Sequence, residues 1–105
     1  MSVVRINAIT VPPERAAELE ARFAARAGEV SSSPGFERFE LLRPTDDRDV
    51  YLVCTWWASE EDFRNWVNSP AFTHGHRAHS TEGPVSSHSD LWSFDVVQHE
   101  DAPAS

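Results

Sequence analysis

The chain has 105 residues, which fits a single domain. Nine Lys and Arg residues against seventeen Asp and Glu residues give a net charge of −8, with His counted as neutral. This charge disfavours general nucleic-acid binding, because a phosphate backbone is held by cations. The sequence has neither a long apolar run that could cross a bilayer nor a signal-peptide pattern at its N-terminus. Cys54 is the only cysteine, so we expect a cytoplasmic protein without an internal disulfide. From the charge and the lack of a long apolar run, we expect neither nucleic-acid nor membrane partners.

The pattern of apolar residues, prolines and polar turns predicts alternating strands and helices. Ser59 with Asp62 resembles a capping box and predicts the start of the second helix. Pro70 predicts a break after that helix and a fresh helical turn beyond it. The predicted elements are, in order, a strand at 3–10, a helix opened by Pro12 and Pro13 with its body at 14–30, strands at 36–43 and 50–57, a helix at 60–68, a helical turn at 71–77 and a strand at 91–98.

This order, β-α-β-β-α-β, predicts an α+β protein with the split arrangement of ferredoxin-like folds. We expect one domain over 1–99 and a disordered tail over 100–105, because the tail has no apolar pattern. Trp56 and Trp57 are adjacent in a predicted strand, so their rings project from opposite faces of the sheet. Two helices cover only one face, and we expect the other to meet a second copy. The predicted assembly is a homodimer that forms a dimeric α/β barrel.

The predicted first helix carries an apolar stripe formed by Leu19, Phe23 and Val30. At about 100° per residue, Arg26 falls inside this stripe, where an unpaired charge is costly. Its guanidinium therefore needs an anion and is suited to a carboxylate. Arg22 flanks the same face one turn earlier. The sequence leaves open whether Arg26 binds a carboxylate from outside the chain, snorkels to solvent or pairs with an acidic residue such as Glu40.

Asn7 interrupts a strand face that is otherwise apolar. Asn is depleted in strands, and a buried amide needs hydrogen-bond partners. Three explanations remain open at this point: a bulge, a structural hydrogen bond, or a functional amide that points into a pocket.

Trp66 lies three residues after Phe63, so the two share a helix face, a spacing that is typical of core packing. In the segment that follows, Phe72 and His76 have helical i, i+4 spacing. If this turn is helical, His74 lies about 200° around the axis from His76, and the two imidazoles cannot hold one metal ion together. No carboxylate or thiol motif completes a zinc site. A single accessible imidazole can still serve as an axial ligand to haem iron.

Several segments together resemble the haem-degrading monooxygenases of the antibiotic biosynthesis monooxygenase superfamily, which has mycobacterial and staphylococcal branches. The resemblance covers roughly residues 3–98 and is carried by Asn7, Trp66 and His76. The mycobacterial branch is the more similar, through the segments VVRINAI, ELEARFAARA, SPGFERFELLRP, and TWWASEEDF to WVNSPA.

The resemblance implies a role for each matching residue. Asn7 matches the Asn that hydrogen-bonds oxygen at the haem iron, and Trp66 matches the Trp that pushes haem out of planarity. His76 matches the axial ligand by its spacing from Trp66, with His74 as the alternative ligand. Arg22, Phe23 and Arg26 match the helix face beside the haem, where Arg26 meets a propionate. The aromatic and apolar walls are expected to come from Phe23, Phe39, Val53, Phe63 and Trp66.

The family resemblance implies an enzyme that binds haem between the helices and the sheet. It would open the porphyrin oxidatively with O2 and electrons from an unidentified reductase, and release the iron; haem is both substrate and cofactor. Two other functions stay open. The protein could be a cofactor-free monooxygenase that acts on quinol or polyketide compounds, or a dimer that binds haem without turnover.

Overall fold

The computed structural model describes residues 2–25, 28, 30–69 and 88–103. A short 3-10 turn at Pro13–Arg15 leads into the first helix. The strands and helices are β1 (Val3–Thr10), α1 (Ala16–Ala25), β2 (Phe36–Leu42), β3 (Val50–Trp57), α2 (Glu60–Val67) and β4 (His88–Asp95). None of the described helices is long and apolar enough to cross a membrane.

The four strands form one antiparallel sheet in the order β2-β3-β1-β4. The two strands that come first and third in the chain are therefore the central ones, and each helix connects a central strand with an edge strand. This arrangement confirms the predicted α+β, ferredoxin-like fold.

The two faces of the sheet differ in what covers them. Trp57 is fully buried against Phe63 and Trp66 of α2, whereas its neighbour Trp56 projects from the other side, beneath the Arg38 guanidinium. The rings of the two tryptophans thus lie on opposite faces, as the sequence predicts. We call the side of Trp57 the helix face and the side of Trp56 the open face. The β1–β3 register assigns to the helix face Val3, Arg5, Asn7, Ile9, Tyr51, Val53, Thr55 and Trp57.

Helix α1 packs through Leu19, which is 1% exposed and contacts Ile9, Val11 and Tyr51. The helix is shorter than predicted. Gly28 has φ +92°, which does not continue a right-handed helix, and Val30 lies in a turn. The prediction that the helix body reaches residue 30 is therefore wrong, and Val30 does not belong to a helical stripe.

The start of α2 is capped as the sequence predicts. The Asp62 backbone N–H donates to Ser59 Oγ at 3.1 Å, and Ser59 Oγ donates to the Asp62 carboxylate at 2.9 Å. Gly35 lies directly against this turn: it has φ +78°, and a Cβ at this position would approach the Asp62 Cγ to 2.2 Å. The helix begins where expected and ends at Val67, one residue before the predicted end.

Strand β2 contains a bulge that strict alternation does not anticipate. Phe36 pairs with Trp57 and Arg38 with Trp56, so Glu37 is the additional residue. As a result Phe36 and Phe39, three positions apart, both lie on the helix face. The strand ends at Leu42 rather than at the predicted residue 43.

Strand β4 lies three residues earlier than the predicted range 91–98. It pairs with the whole of β1, from Thr10 opposite His88 to Val3 opposite Asp95. Beyond Asp95 the partner strand ends, and the described residues there form one further backbone hydrogen bond, from Val96 N–H to the Ser2 carbonyl. The strand boundaries are set by the length of the neighbouring strand, whereas the local apolar pattern LWSFDVVQ pointed further along the chain.

Candidate functional site

The centre of the candidate site is a pair of residues in the middle of the helix face. Asn7 of β1 lies opposite Val53 of β3, and the same row continues to Leu91 on one side and Leu41 on the other. Along the strands, the α1 core around Ile9 lies on one side of this central row, and the α2 aromatic cluster around Trp57 lies on the other. The row between the two contacts forms the floor of the site.

The side-chain amide of Asn7 is half-buried and, within the part of the chain that the structure describes, takes part in no side-chain hydrogen bond. Its strand pairing is regular on both sides, so the bulge explanation is wrong. A structural hydrogen bond to a described residue is also absent. A half-buried amide in this state is available to a ligand, since such groups normally find partners.

Phe23 of α1 stacks on Phe39 of β2 with ring centroids 6.3 Å apart and an interplanar angle of 28°. Phe39 pairs with Thr55, on the Trp57 side of the central row. Phe23 packs against the core, while Phe39 is 40% exposed, so the pair combines an anchored ring with an accessible one. Arg22 lies on the same helix, with a side chain that is only 10% exposed, and it pairs with Glu18 at 2.9 Å.

On the α2 side, Phe63 and Trp66 form the second aromatic pair, with centroids 6.4 Å apart. Both rings contact the buried Trp57, at 5.9 Å and 5.6 Å. The structure therefore brings both predicted wall residues of α2 together on one side, but as part of a cluster that is anchored in the core. This arrangement is consistent with core packing of Phe63 and Trp66, as their spacing indicates, and with their predicted role as walls of a pocket.

Helix α1 is fastened to the sheet by a hydrogen-bonded ion pair at Glu20. Its carboxylate accepts from Arg43 Nε at 2.8 Å and Nη2 at 2.5 Å, and the Tyr51 hydroxyl donates to it as well. These donors, Arg43 first, lower the pKa of Glu20 from 4.5 to about 2. Burial and the neighbouring Glu20 carboxylate raise the pKa of Tyr51. The network keeps Glu20 ionised and holds the helix that carries Phe23.

The remaining titratable groups do not form a catalytic cluster among the described residues. No group of three or more His, Cys, Asp or Glu side chains there could hold a metal ion. Cys54 is buried on the open face, and burial followed by the Glu40 charge raises the pKa of its thiol. A thiolate nucleophile is disfavoured in such surroundings.

Three of the predicted site residues, Arg26, His74 and His76, lie outside the described residues. Their roles, and the choice between the two imidazoles as ligand, stay predictions. The predicted site residues that are described, Asn7, Val53, Phe39, Phe23, Arg22, Phe63 and Trp66, belong to the helix face or to the two helices.

Sequence reasoning missed two residues of this face. Arg5 lies two positions before Asn7, and its guanidinium is 4.6 Å from the centroid of the Phe63 ring. Leu91 flanks Asn7 from β4 and is 61% exposed. Extending the β1 alternation back from Asn7 would have identified Arg5 as a cation on the helix face. Leu91 could not be found in this way, because its position opposite Asn7 depends on the register between β1 and β4, which are distant in sequence.

Taken together, the helix face combines an apolar row that contains one amide with two aromatic pairs, one at each helix. Such a site suits a flat, largely apolar ligand that accepts or donates a few directed hydrogen bonds. Arg22 adds a cation at the α1 side. The donor set contains no described cluster for a bare metal ion, but aromatic walls with a cation at the edge fit a haem, which is an apolar disc with carboxylates on its rim.

A model of the antibiotic biosynthesis monooxygenase family matches residues 2–78 of the chain. Among curated proteins, a mycobilin-producing heme oxygenase of Mycobacterium tuberculosis is 48% identical over 99 residues, which cover 92% of this chain and 90% of that protein. A staphylobilin-producing heme oxygenase of Staphylococcus epidermidis is 38% identical over 84 residues, covering 75% and 79% of the two chains.

Solved structures agree with this similarity. The heme degrader MhuD from M. tuberculosis, with two hemes bound in its active site, superposes with a TM-score of 0.80 at 44% identity, over 94% of this chain and 99% of that chain. SnoaB from Streptomyces nogalater, a cofactor-independent oxygenase, superposes with a TM-score of 0.72 at 29% identity, over 93% and 95%. The fold, the family model and the extent of identity agree with the predicted resemblance: the chain belongs to the antibiotic biosynthesis monooxygenase family.

Proposed function

We propose that the protein is a haem-degrading monooxygenase that binds haem against the helix face, between α1 and α2. It opens the porphyrin with O2 and electrons from an external donor and releases the iron. The observation that carries this proposal is the half-buried Asn7 amide without a described partner, on the same face of the sheet as two aromatic pairs. Similarity to relatives named heme oxygenase, at 48% and 38% identity, supports the same activity.

The described residues fit haem as a ligand. Val53 and the two aromatic pairs supply the apolar surface that a porphyrin needs, and burial of such surface is the main source of affinity. The carboxylates on the haem rim are anionic, and a protein with a net charge of −8 repels them unless cations lie close to them. We assign this task to Arg22 and Arg26 on the first helix, with Arg26 taking a propionate.

Bound haem supplies the iron centre that reduces O2 and the carbon skeleton that is oxidised. The chain supplies the surroundings of that chemistry. The Asn7 amide donates a hydrogen bond into the pocket, and the Trp66 ring restricts how flat the bound porphyrin can lie. His76, or His74 as the alternative, supplies the imidazole ligand, while the aromatic pairs exclude water. The electron donor is expected to be a separate reductase.

A second candidate function is cofactor-free oxygenation of a quinol or polyketide-like compound. The observation that favours it is the structural likeness to SnoaB at 29% identity, since the same floor and walls suit a flat aromatic substrate. Binding of haem without turnover is the third candidate. The higher identity to the haem-degrading relatives ranks the first function above both.

The homodimer is also part of this proposal. The open face carries three exposed large side chains on its two edge strands, Leu42, Trp92 and Phe94, at 42%, 43% and 51% exposure. Apolar surface of this kind is costly in water and typical of an interface. We propose that a second copy covers this face, so that the two sheets form the barrel. Arg38 and Glu40, which have opposite charges, both lie on it and can pair across a twofold axis.

A haemin titration followed in the Soret region, and then addition of ascorbate under air, separates the three functions. The proposed enzyme gives a saturable Soret band that bleaches with ascorbate and releases iron to a ferrous chelator. A carrier gives the band without loss of porphyrin. A cofactor-free oxygenase gives no saturable band beyond that of an unrelated acidic protein, and this result would overturn the proposal.

A further inference from the structure

Arg5 is a half-buried cation on the helix face, two positions before Asn7. Its side chain is 16% exposed, and its Nη2 forms an ion pair with Glu60, the first residue of α2. The guanidinium also lies over the Phe63 ring, with 4.6 Å between Cζ and the ring centroid. Arg64 Nε also lies 3.4 Å from Glu60 Oε1, the oxygen that pairs with Arg5. Arg5 thus contacts the first turn of α2 at two points.

These contacts matter because α2 has only eight residues. A helix of this length is marginal by itself, so its orientation depends on tertiary contacts. The aromatic cluster beneath it is fixed from the sheet: Trp57 Nε1 donates to Thr55 Oγ1 at 2.9 Å, and Thr55 Oγ1 donates to the Arg5 carbonyl at 3.3 Å. Trp57 is thereby held by β1 and β3, whereas Trp66 is held by the helix.

The nature of the Arg5 contacts is suited to fixing an angle. Apolar packing alone allows a short helix to roll, because it has little directional preference. A guanidinium that stacks on one ring and pairs with one carboxylate is directional in both contacts. Phe63 lies 6.4 Å from Trp66 on the same helix, so a rotation of Phe63 carries Trp66 with it.

We propose that Arg5 is a positioning residue that sets the angle at which Trp66 faces the pocket. It acts through Glu60 and the Phe63 ring and does not itself contact the substrate. The consequence for catalysis rests on the proposed function: the angle of Trp66 then determines how bound haem is deformed and which carbon is oxidised. Arg5 is thus a determinant of turnover and regiochemistry more than of haem affinity.

The position of Trp66 can be read without any ligand. The chain has four tryptophans, so protein labelled with 5-fluorotryptophan gives up to four ¹⁹F resonances, and Trp66→Phe assigns one of them to Trp66. We expect Arg5→Met to shift the Trp66 resonance by more than its linewidth. Arg5→Lys, which keeps a cation beside Phe63 and Glu60, should return it towards the original position. Glu60→Gln should shift it in the same direction by a smaller amount.

Arg38→Met is the matched control. Arg38 also pairs with a carboxylate, Glu40, and lies over an indole, with 5.0 Å to the Trp56 ring, but on the open face. Its substitution should move the Trp56 resonance and leave that of Trp66 unchanged. If Arg38→Met shifts Trp66 as much as Arg5→Met does, the effect is a general loss of stability and the proposal is wrong.

Haem provides the second measurement. In Arg5→Met we expect haemin affinity to stay within about threefold, and kcat to fall roughly tenfold with a changed ratio of cleavage products, because misplaced groups cost turnover more than binding.

An unchanged Trp66 resonance in both Arg5→Met and Glu60→Gln overturns the proposal, whether or not the protein binds haem. A shifted resonance with an unchanged kcat and product ratio overturns its catalytic part. If Arg5→Met does not fold, Glu60→Gln carries both readouts. If the unmodified protein degrades no haem, the proposed function fails while the Trp66 resonance still reports on positioning.

Discussion

The amide of Asn7 combines two properties that seldom occur together in the centre of a sheet: regular strand pairing on both sides and a half-buried polar group without a described partner. A protein that only needed a stable strand would gain from an apolar residue here. The placement therefore favours a role that is fulfilled when a ligand is bound.

Replacement of Asn7 by Ala tests this role. We expect haem degradation to slow by about 10²–10³-fold, the usual loss when one preorganised donor is removed from a catalytic site. Haemin affinity should change little, because the aromatic walls remain. Single-turnover degradation with ascorbate gives the rate, and Asn65→Ala, at an exposed position of α2, is the control. Equal rates in Asn7→Ala and the unmodified protein would leave Asn7 without a catalytic role.

The axial ligand is the second prediction at the scale of single residues. The sequence predicts a helical turn after Pro70, and in such a turn Phe72 and His76 share one face while His74 points away from it. We therefore expect His76→Ala to lose the His-ligated haem spectrum and to abolish degradation, and His74→Ala to keep both. Electronic absorption and electron paramagnetic resonance of the haemin complexes measure the ligation. Loss of ligation in His74→Ala alone would move the ligand by two residues and leave the proposed enzyme class intact.

At the scale of elements, α1 and α2 each carry a carboxylate that pairs with an arginine, and an aromatic residue takes part in each connection. Glu20 of α1 meets Arg43 and Tyr51, and Glu60 of α2 meets Arg5, which itself lies over Phe63. The two connections lie at opposite ends of the helix face, on either side of the Asn7 row. The space between the helices is therefore defined by polar contacts in addition to apolar packing.

The Glu20 connection has a pH dependence with a defined sign. The pKa of Glu20 is lowered from 4.5 to about 2 in the folded chain, chiefly by Arg43. A lowered folded pKa means that the ionised carboxylate stabilises the fold above the unfolded pKa, and that this contribution is lost as the pH falls through the folded one. We expect Glu20→Gln to lower the free energy of unfolding at neutral pH. The difference from the unmodified protein should shrink between pH 4.5 and about 2 and vanish below.

Urea unfolding at a series of pH values measures this difference. Glu14→Gln, at an exposed site in the 3-10 turn before α1, controls for the loss of one negative charge. A difference between Glu20→Gln and the unmodified protein that is the same at pH 7 and at pH 2 would show that the ion pair does not carry the stabilisation.

The secondary structure could be predicted where the signal is local. The range of β3 and the capping of α2 follow from β-branched residues and from the Ser59 and Asp62 pair, and both are confirmed. The errors occur where the cause is distant. The ends of β4 depend on the length of β1. Helix α1 ends before Gly28, which has a positive φ, and the apolar stripe up to Val30 does not reveal this end.

For the whole molecule, the open face determines the expected assembly. Light scattering at low micromolar concentration should give about twice the chain mass of 11.8 kDa. Trp92→Glu should dissociate the dimer, because it introduces a charge into the apolar patch formed with Phe94 and Leu42. Glu61→Lys, on the exposed side of α2, is the control and should leave the mass unchanged. A monomer with native secondary structure in the unmodified protein would contradict the barrel.

The site roles come from the family resemblance and stay predictions, whereas the structure shows where the described residues among them lie. Asn7, Val53 and the two aromatic pairs are assigned in this way, and the structure gives each of them a defined neighbour. The alternation of β1 could have placed Arg5 on the helix face, but its contact with Phe63 depends on the approach of α2. Leu91 could not be assigned, since its position beside Asn7 depends on strand register.

The bulge at Glu37 has a consequence for how the length of this chain can vary. Because Phe36 and Arg38 already face consecutive residues of β3, removal of Glu37 leaves every later side chain of β2 on its present face. Removal of Glu40 instead reverses the alternation beyond Phe39, and it brings Leu41 to the side where Leu42 now lies. In a related sequence, a gap of one residue at the position of Glu37 therefore leaves the side chains of β2 on their present faces. A gap at Glu40 exchanges the faces of the residues that follow it. Sequence comparison within the family should weigh the two gaps differently.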